Sequence, residues 1–444
     1  MTTLTPAAIR TKRTLKRILI GLACVAVAAS LFIVGYQTLV DPGSDKRSSV
    51  LTNTATNPAT TLARGAYLAR AGNCMGCHTS RGGQTYAGGR AIATPFGDVF
   101  ASNITPDTDT GIGRWSSDDF WRALHNGKSK DGRFLYPAFP YPSYTQVTRD
   151  DADALYAFLR TVAPVRQINR EHRLAFPYNQ RIVLAFWRTF YFRPGEYQPD
   201  LSQTQEWNRG AYLAQGLGHC AACHTPKNAL GGSIAGRNFD GGVIPGLNWY
   251  APPLTGGTDA LGHWSVSDIA DLLGNGVSAR SAAFGPMAEV VGTSLQHLTA
   301  QDLRAMAVYL KSLPSTGQER SRKMIAHAED DEAVLIRGAK LYEQHCANCH
   351  GDNGRGAPSA YPALKETTSA TAGNPLNAVR MVVNGGFPPS TKGNPRPYGM
   401  PPFGTLLNDD EIASVVSYVR NQWGRHKSLV SANEVRRARG VTGD

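Results

Sequence analysis

The first apolar pattern along the chain is an uncharged run at residues 18–40. A helix needs about 20 apolar residues to cross a bilayer, whereas the apolar core of a cleaved signal peptide has about 7–15. Basic residues cluster at positions 10–17, and Asp41 follows the run. This asymmetry predicts one transmembrane helix with a cytoplasmic N-terminus. The alternative is a signal peptide that ends near Ser30.

Helical apolar patterns then return three times, each behind a capping signal. Thr148, Thr299 and Asn408 are each followed by an acidic residue three positions later, which is typical of a helix start. Apolar residues after these signals recur at spacings of three and four, as at positions 412, 415, 416 and 419. The pattern predicts helices after Thr148, at about 300–313 and at 409–423, with their apolar faces in a core.

The three helices close three repeats of one motif series. Gly-x-Trp-Ser turns lie at 113–116 and 262–265, and Asn-Gly pairs at 126–127, 275–276 and 384–385. Repetition on this scale predicts three related, mainly α-helical domains. The predicted divisions are an anchor at 1–45, a tether at 46–62, domain 1 at 63–165, an aromatic linker at 166–204, domain 2 at 205–315, a linker at 316–330, domain 3 at 331–424 and a basic tail at 425–444.

Composition and charge indicate the size of the domains and one class of partner that the sequence does not favour. The 444 residues include 46 Gly and 27 Pro, which indicates small domains with long loops, and the net charge is +12. Part of that charge lies in the cluster before the apolar run and part in the C-terminal tail. The sequence has no stripe of alternating basic and aromatic residues, so it does not predict a nucleic-acid-binding surface.

Each repeat contains the pattern C-x-x-C-H. This pattern attaches c-type haem, because two thiols on one helical turn form thioethers with the porphyrin while the adjacent His binds the iron. The chain is therefore expected to carry three covalently bound haem c groups. The predicted attachment residues are Cys74 and Cys77, Cys220 and Cys223, and Cys346 and Cys349, and the predicted iron ligands are His78, His224 and His350.

Two other kinds of site use paired cysteines. Structural zinc sites need four ligands, and three C-x-x-C pairs do not divide into closed four-cysteine sites. A thioredoxin-like redox site lies in a βαβ pattern, whereas the flanks here, such as residues 64–68, open helices. The repeated His after the second Cys favours haem over both.

A methionine on the far side of the iron raises the reduction potential and is typical of an electron carrier. Met400 lies in the Gly- and Pro-rich stretch at 398–403, and Met287 follows Gly285-Pro286. Both are predicted sixth ligands. In the first repeat Phe139 stands at the equivalent position, and no methionine occurs between Met75 and Met287. The first haem therefore either lacks a side-chain ligand on that face or uses another residue, with His125 the first candidate and His172 the second.

The linker between the first two repeats contains a strongly apolar and aromatic stretch at 182–192, flanked by Arg181 and Arg193. Two interpretations stay open. The stretch packs between haem domains, or it contacts a partner subunit or the membrane surface.

Taken together, these motifs resemble those of the membrane-bound trihaem cytochrome c subunits of periplasmic dehydrogenase complexes. The resemblance rests on the three C-x-x-C-H motifs, the Gly-x-Trp-Ser turns, and residues 103–107, 135–138, 285–288 and 398–403. That group serves alcohol, gluconate and sorbitol dehydrogenases and molybdenum hydroxylases. Phe139 and the stretch at 386–389 are closer to the molybdenum-hydroxylase branch.

The resemblance implies an electron-transfer subunit rather than an enzyme. Its partner would be a dehydrogenase catalytic subunit, and its acceptor ubiquinone or a terminal oxidase. The chain would be a single-pass protein of the bacterial inner membrane with its haem domains in the periplasm. Two alternatives are a haem subunit that feeds a terminal oxidase, and a haem enzyme that binds a small ligand at an open first haem.

Overall fold

The structure is a computed structural model that describes residues 6–40, 58–257, 260–315, 328–357, 360–365, 367, 372–424 and 427–439. Most of the predicted tether and of the second linker lies outside the described residues. Helix α1 (Pro6–Leu39) contains the apolar run. Within it, Lys16–Leu39 is long and apolar enough to cross a membrane, with a mean hydropathy of 2.7.

The first repeat is a helical unit with a small sheet. Its closing helix α6 begins at Arg149, as the capping signal at Thr148 predicts. Strand β2 lies in the centre of the antiparallel sheet, with Ala91 opposite Phe100 on one side and Gly97 opposite Leu174 on the other. The elements are α2 (Pro58–Ala71), α3 (Cys74–His78), β1 (Ala91–Thr94), β2 (Gly97–Phe100), α4 (Ser117–Asn126), α5 (Tyr141–Tyr144), α6 (Arg149–Leu159), β3 (Arg173–Leu174) and α7 (Val183–Tyr191).

The second and third repeats have the same helical plan. A π-helical turn, Leu213–Leu217, extends the first helix of the second repeat, and a 3₁₀ turn, Leu295–His297, precedes its closing helix. The second repeat contains α8 (Gln205–Tyr212), α9 (Ala221–His224), antiparallel strands β4 (Gly242–Ile244) and β5 (Trp249–Ala251), α10 (Val266–Asn275), α11 (Pro286–Thr293) and α12 (Ala300–Ser312). The third contains α13 (Ala328–His345), α14 (Ala347–His350), α15 (Leu376–Asn384), α16 (Asp409–Trp423) and α17 (Ala432–Arg439).

Capping explains where the helices begin. The Ser of each Gly-x-Trp-Ser turn, Ser116 or Ser265, forms a capping box with the Asp three residues later. Asn408 does the same for α16. The Thr148 and Thr299 hydroxyls accept from the backbone N–H groups of Asp151 and Asp302 in the first turns of α6 and α12. The three predicted closing helices are confirmed.

The first helix of each repeat crosses the closing helix of that repeat at a glycine. A Cβ at Gly65 would overlap the carbonyl oxygen of Ala154, and one at Gly210 would overlap that of Ala305. Gly338 meets Ser414 in the third repeat in the same way. Only a residue without a side chain allows the two backbones to approach this closely.

A tyrosine of each of the first two repeats donates a hydrogen bond to an aspartate of the other repeat, and we call this pair of contacts the tyrosine exchange. Asp151 of α6 forms an ion pair with Arg64 of its own repeat and accepts a hydrogen bond from Tyr212 of the second. Asp302 of α12 is bound in turn by Arg209 of its own repeat, at 2.8 Å from each of two guanidinium nitrogens, and by Tyr67 of the first. Burial alone would raise the pKa of Asp302, but the hydrogen bonds from Arg209 and Tyr67 hold it below its ordinary value.

The first two repeats also share one apolar core. Leu68 and Leu155 of the first repeat and Leu213 and Met306 of the second belong to one apolar cluster. The third repeat has Lys340 at the position of the exchanged tyrosine and a core of its own around Ile412. The first two repeats therefore form one packed body, to which the third is attached differently.

The third repeat reaches the second through polar contacts and one loop. The Asn377 side chain accepts from the Tyr250 N–H at 2.9 Å and donates to the Tyr250 carbonyl at 2.7 Å. The Thr391 hydroxyl donates to the carbonyl oxygen of Asn275 at 2.8 Å. These bonds join α15 and the loop after it to β5 and to the end of α10.

The predicted basic tail contains helix α17. Val435 and Ala438 of this helix are buried in the core of the third repeat. Arg439 forms an ion pair with Asp409 and donates to the carbonyl of Leu407 at 2.8 Å. The charge of Arg439 therefore helps to close the third repeat.

We predict that Gly210→Ala lowers the free energy of unfolding by about 1–3 kcal/mol, because its methyl group would force the two helices apart. Denaturant unfolding of the haem-loaded protein measures the change. Gly195→Ala is the matched control, since a Cβ there meets nothing within 4 Å. It should change stability by less than about 0.5 kcal/mol. Equal effects of the two substitutions would contradict the close-crossing explanation.

Candidate haem-binding sites

Each C-x-x-C-H motif lies on a short helix directly behind the first helix of its repeat. Five of the six motif cysteines are partly exposed, and Cys349 is exposed. Asn73 takes a left-handed conformation, with φ 49°, between α2 and α3 and so turns the chain into the first motif. The short helices present two thiols and one imidazole on one turn, as thioether attachment requires.

The three motif histidines share one hydrogen-bond arrangement. His78 Nδ1 donates to the carbonyl of Ser102 at 2.7 Å, His224 Nδ1 to that of Pro252 at 2.7 Å, and His350 Nδ1 to that of Pro362 at 3.0 Å. Burial lowers the pKa of all three rings, although the carbonyl partners oppose the shift. Each neutral ring therefore carries its proton on Nδ1 and keeps the Nε2 lone pair free for a metal. The sequence contains no signal for which carbonyl each His binds.

A large cavity lies beside the first motif. Its volume is about 2280 Å³, and its wall includes Cys74, Cys77 and His78 together with Cys223 of the second repeat. Aromatic and aliphatic side chains, Phe139 and Tyr144 among them, form much of the rest. Such a space suits a large flat apolar group.

Glycines shape both methionine loops. Gly285, with φ 54°, begins the turn that carries Met287 into α11, and a Cβ there would lie 2.9 Å from the Trp249 ring. Met287 packs against the shared core. The backbone of Met400 pairs in both directions with Gly386, at 2.8 and 3.0 Å. A Cβ at Gly385 would overlap the Met400 carbonyl oxygen, so this turn also needs glycine.

In the first repeat an aromatic ring replaces the thioether. Phe139 lies in the cavity wall, with its ring centre 5.2 Å from that of Tyr144. His125 is buried, stacks on Trp121 at 4.5 Å and donates from Nδ1 to the Thr145 carbonyl at 2.9 Å. Among the described residues, those that line the cavity do not include His125.

His172 does line the cavity, but its proton is on the wrong nitrogen for iron binding. Its Nδ1 accepts from the Phe100 N–H at 3.1 Å, so the neutral ring carries its proton on Nε2 and offers no lone pair there. Burial, with added repulsion from Arg181 and Arg133, lowers the pKa of His172 to about 4. The ring presents a neutral N–H donor to its surroundings.

The family follows from a match to the cytochrome c family model at residues 62–163, 208–314 and 335–423. The chain belongs to the cytochrome c family. These three matches and the mainly helical structure confirm the predicted fold class of tandem cytochrome c domains behind one N-terminal apolar helix. The family also makes covalently bound haem c the expected cofactor.

Relatives of this cytochrome are subunits of several dehydrogenases. The chain is 41% identical to the gluconate 2-dehydrogenase cytochrome c subunit of Pantoea cypripedii, over 84% of this chain and 88% of that one. It is 38% identical to the cytochrome c subunit of the quinone alcohol dehydrogenase of Komagataeibacter europaeus, over 85% and 83%. It is 40% identical to a nicotinate dehydrogenase subunit of Pseudomonas putida over 83% of this chain but only 31% of that longer protein. These similar identities leave the branch of the family a prediction.

The residues of the cytochrome fit haem c. Three histidines have a free Nε2, and the cavity beside the first motif is apolar. No group of three or more His, Cys, Asp or Glu that could hold a bare metal ion was found in the described parts of the chain. The apolar cavity beside a single motif His suits a porphyrin.

Sequence reasoning missed one buried charged residue, which contacts the Trp249 ring beside Gly285. Arg380 on α15 is buried, its guanidinium lies 4.6 Å from the centre of the Trp249 ring, and its Nε and Nη1 have no hydrogen-bond partner among the described residues. Burial without a counter-ion lowers the pKa of Arg380. A buried cation in this state favours an anionic neighbour, and haem carries two propionates. The only signal in the sequence is one arginine within an apolar helix.

We predict that His172 makes the folded protein less stable as the pH falls from about 6.5 to about 4. In this window the unfolded chain binds a proton that the folded protein does not, so acid favours unfolding. Denaturant unfolding at several pH values measures the slope. His172→Asn keeps an acceptor for the Phe100 N–H and should flatten the slope. His263→Gln, at an exposed histidine, is the matched control, and an equal slope in the wild type and His172→Asn would refute the prediction.

Proposed function

We propose that this cytochrome is an electron-transfer subunit that carries electrons from a periplasmic dehydrogenase, through three haem c groups, to membrane quinone or a terminal oxidase. One observation carries the proposal: the same site is built three times in one chain, each time with two thiols and a His held by a backbone carbonyl. The relatives named above, all dehydrogenase subunits, support a partner of that kind.

The proposed roles follow the geometry of the sites. Cys74 and Cys77, Cys220 and Cys223, and Cys346 and Cys349 would form the thioethers, and His78, His224 and His350 would bind iron. When bound, haem c supplies one-electron oxidation and reduction. Met287 and Met400 would be the sixth ligands of the second and third haems. We assign the three haem domains to residues 63–165, 205–315 and 331–424.

The first haem would differ from the other two. Phe139 has no metal-binding atom, His172 offers an N–H instead of a lone pair, and His125 lies outside the cavity lining. We therefore propose that none of these three residues binds the first iron. A small exogenous ligand such as carbon monoxide would then reach this iron more readily than the other two.

Helix α1 supports attachment to the inner membrane. Its apolar segment lies behind the basic cluster at residues 10–17, which favours a cytoplasmic N-terminus. All three haem domains would then be periplasmic. Substrate oxidation would belong to the partner subunit, and this chain would accept the electrons.

We expect the cytochrome to be purified from the membrane with a dehydrogenase catalytic subunit and with three haems per chain. Mass spectrometry identifies the partner, and a pyridine haemochrome assay counts the haems. Substrate of the identified partner should reduce the haems of the complex. Co-purification with an oxidase core alone, or a count of one or two haems in the intact chain, would contradict the proposal.

We expect Phe139→Met to convert the first haem to His/Met ligation, because a thioether would replace the aromatic ring in the cavity wall. The visible and electron paramagnetic resonance spectra should gain one low-spin centre, and carbon monoxide binding to the reduced protein should decrease. The reciprocal Met287→Phe should have the opposite effect at the second haem. Three identical low-spin His/Met centres in the wild type would refute the expectation.

A further inference from the structure

Helix α7 has a partly exposed apolar stripe that also borders the large cavity beside the first motif. Ile182, immediately before the helix, and Phe186 and Phe190 are spaced by four residues and so lie on one side of it. Ile182 is 50% exposed and Phe190 71% exposed. The opposite side, with Leu184, Ala185 and Arg188, is buried. The outward side of this helix is therefore apolar as well.

The stripe continues onto the second repeat. The Trp187 indole N–H donates to the carbonyl of Leu230 at 3.0 Å, and Leu230 is itself 52% exposed. Residues 181–193 contain three arginines and no acidic residue. We call Ile182, Phe186, Phe190 and Leu230 the α7 patch.

The buried side of α7 is attached to the last turns of α1. Val34 packs against Leu184 and Ala185. The Gln37 side chain accepts from Arg188 Nε at 3.1 Å and donates to the Thr189 hydroxyl at 3.2 Å. These contacts fix α7 beside the end of the apolar helix.

Lys128 strengthens this attachment from the first repeat. Its buried ammonium group donates to the carbonyls of Thr38 and Val40, at 3.3 and 3.2 Å. A lysine at the C-terminal end of a helix also stabilises the helix dipole. The end of α1 is thus bound both by the linker and by the first domain.

Counting residues along α1 gives the position of the contact between Gln37 and α7 relative to a bilayer. A hydrocarbon core of about 30 Å corresponds to about 20 helical residues at about 1.5 Å each. Counted from Ile18, the first residue after the basic cluster, the outer boundary falls near Gln37. This is the residue that holds α7.

From this geometry we infer that the α7 patch lies in the interface of the periplasmic leaflet, as a second membrane contact beside α1. The inference rests on the proposed anchoring by α1. Exposed Ile, Phe and Leu side chains suit the boundary between headgroups and acyl chains, and the exposed Arg193 at the end of the stretch suits a lipid phosphate.

The inference also concerns the first haem. Phe186, Trp187 and Phe190 line the same cavity as Cys74 and Cys77. A patch in the interface would therefore bring that cavity to the lipid surface. Of the two interpretations of the aromatic linker, the buried side of α7 fits packing on the first domain and the exposed side fits the membrane.

Photolabelling of the intact complex tests the inference. The complex is reconstituted in phosphatidylethanolamine and phosphatidylglycerol vesicles that contain a phosphatidylcholine with a diazirine on its acyl chain. After illumination, tryptic peptides are analysed by mass spectrometry. We expect adducts on residues 182–188 and 189–209, which contain the α7 stripe, and on residues 18–46, which contain the end of α1.

The control peptide is residues 381–392, which contain Phe387, a third-repeat aromatic side chain that is 67% exposed. The variant Ile182→Ser, at a patch residue that does not line the cavity, should reduce the adducts on residues 182–188 towards the control level while its haem spectrum stays unchanged, which shows that the fold is kept. Label on α7 at the control level in the wild type, as when a partner subunit covers the patch, would overturn the inference. Label on residues 18–46 reports separately on anchoring.

Discussion

Each haem domain depends on one close crossing of two helices at a glycine. The C-x-x-C-H turn follows directly from the first of these helices, so the crossing at Gly65, Gly210 or Gly338 also fixes where the thiols and the imidazole are presented. The helices of these domains are short, so a bound cofactor would add apolar surface to their cores. A side chain at the crossing would shift the metal-binding turn together with the helix that carries it.

The same small set of residues explains why two domains pair and the third does not join them in the same way. Arg-Gly-Ala-Tyr at residues 64–67 and 209–212 supplies an arginine for the domain's own aspartate and a tyrosine for its neighbour's. The third domain has Lys340 instead of the tyrosine. It contacts the second domain through Asn377 and Thr391, whose partners are backbone groups.

The parts of the structure that could be predicted from the sequence depend on residues that are close together in the chain. Helix starts at Thr148, Thr299 and Asn408 are of this kind, because a cap is completed within three residues. Asp151 and Asp302 also looked like capping residues, but each carboxylate binds an arginine of its own domain and a tyrosine of the other. That use depends on partners as far as 235 positions away. The proton position on His172 is likewise set by Phe100, 72 positions earlier, so its unsuitability as a ligand had no local signal.

The tyrosine exchange also has a consequence for biosynthesis. A ribosome makes the chain from its N-terminus, so Asp151 emerges 61 residues before Tyr212, and Tyr67 emerges 235 residues before Asp302. The first domain must therefore remain without its partner while the second is made. During that time part of its core, and the Asp151 carboxylate that is buried in the finished structure, are still exposed to water. Its final packing is a late event even though its sequence comes first, and a chain interrupted within the second domain would leave the first incomplete as well.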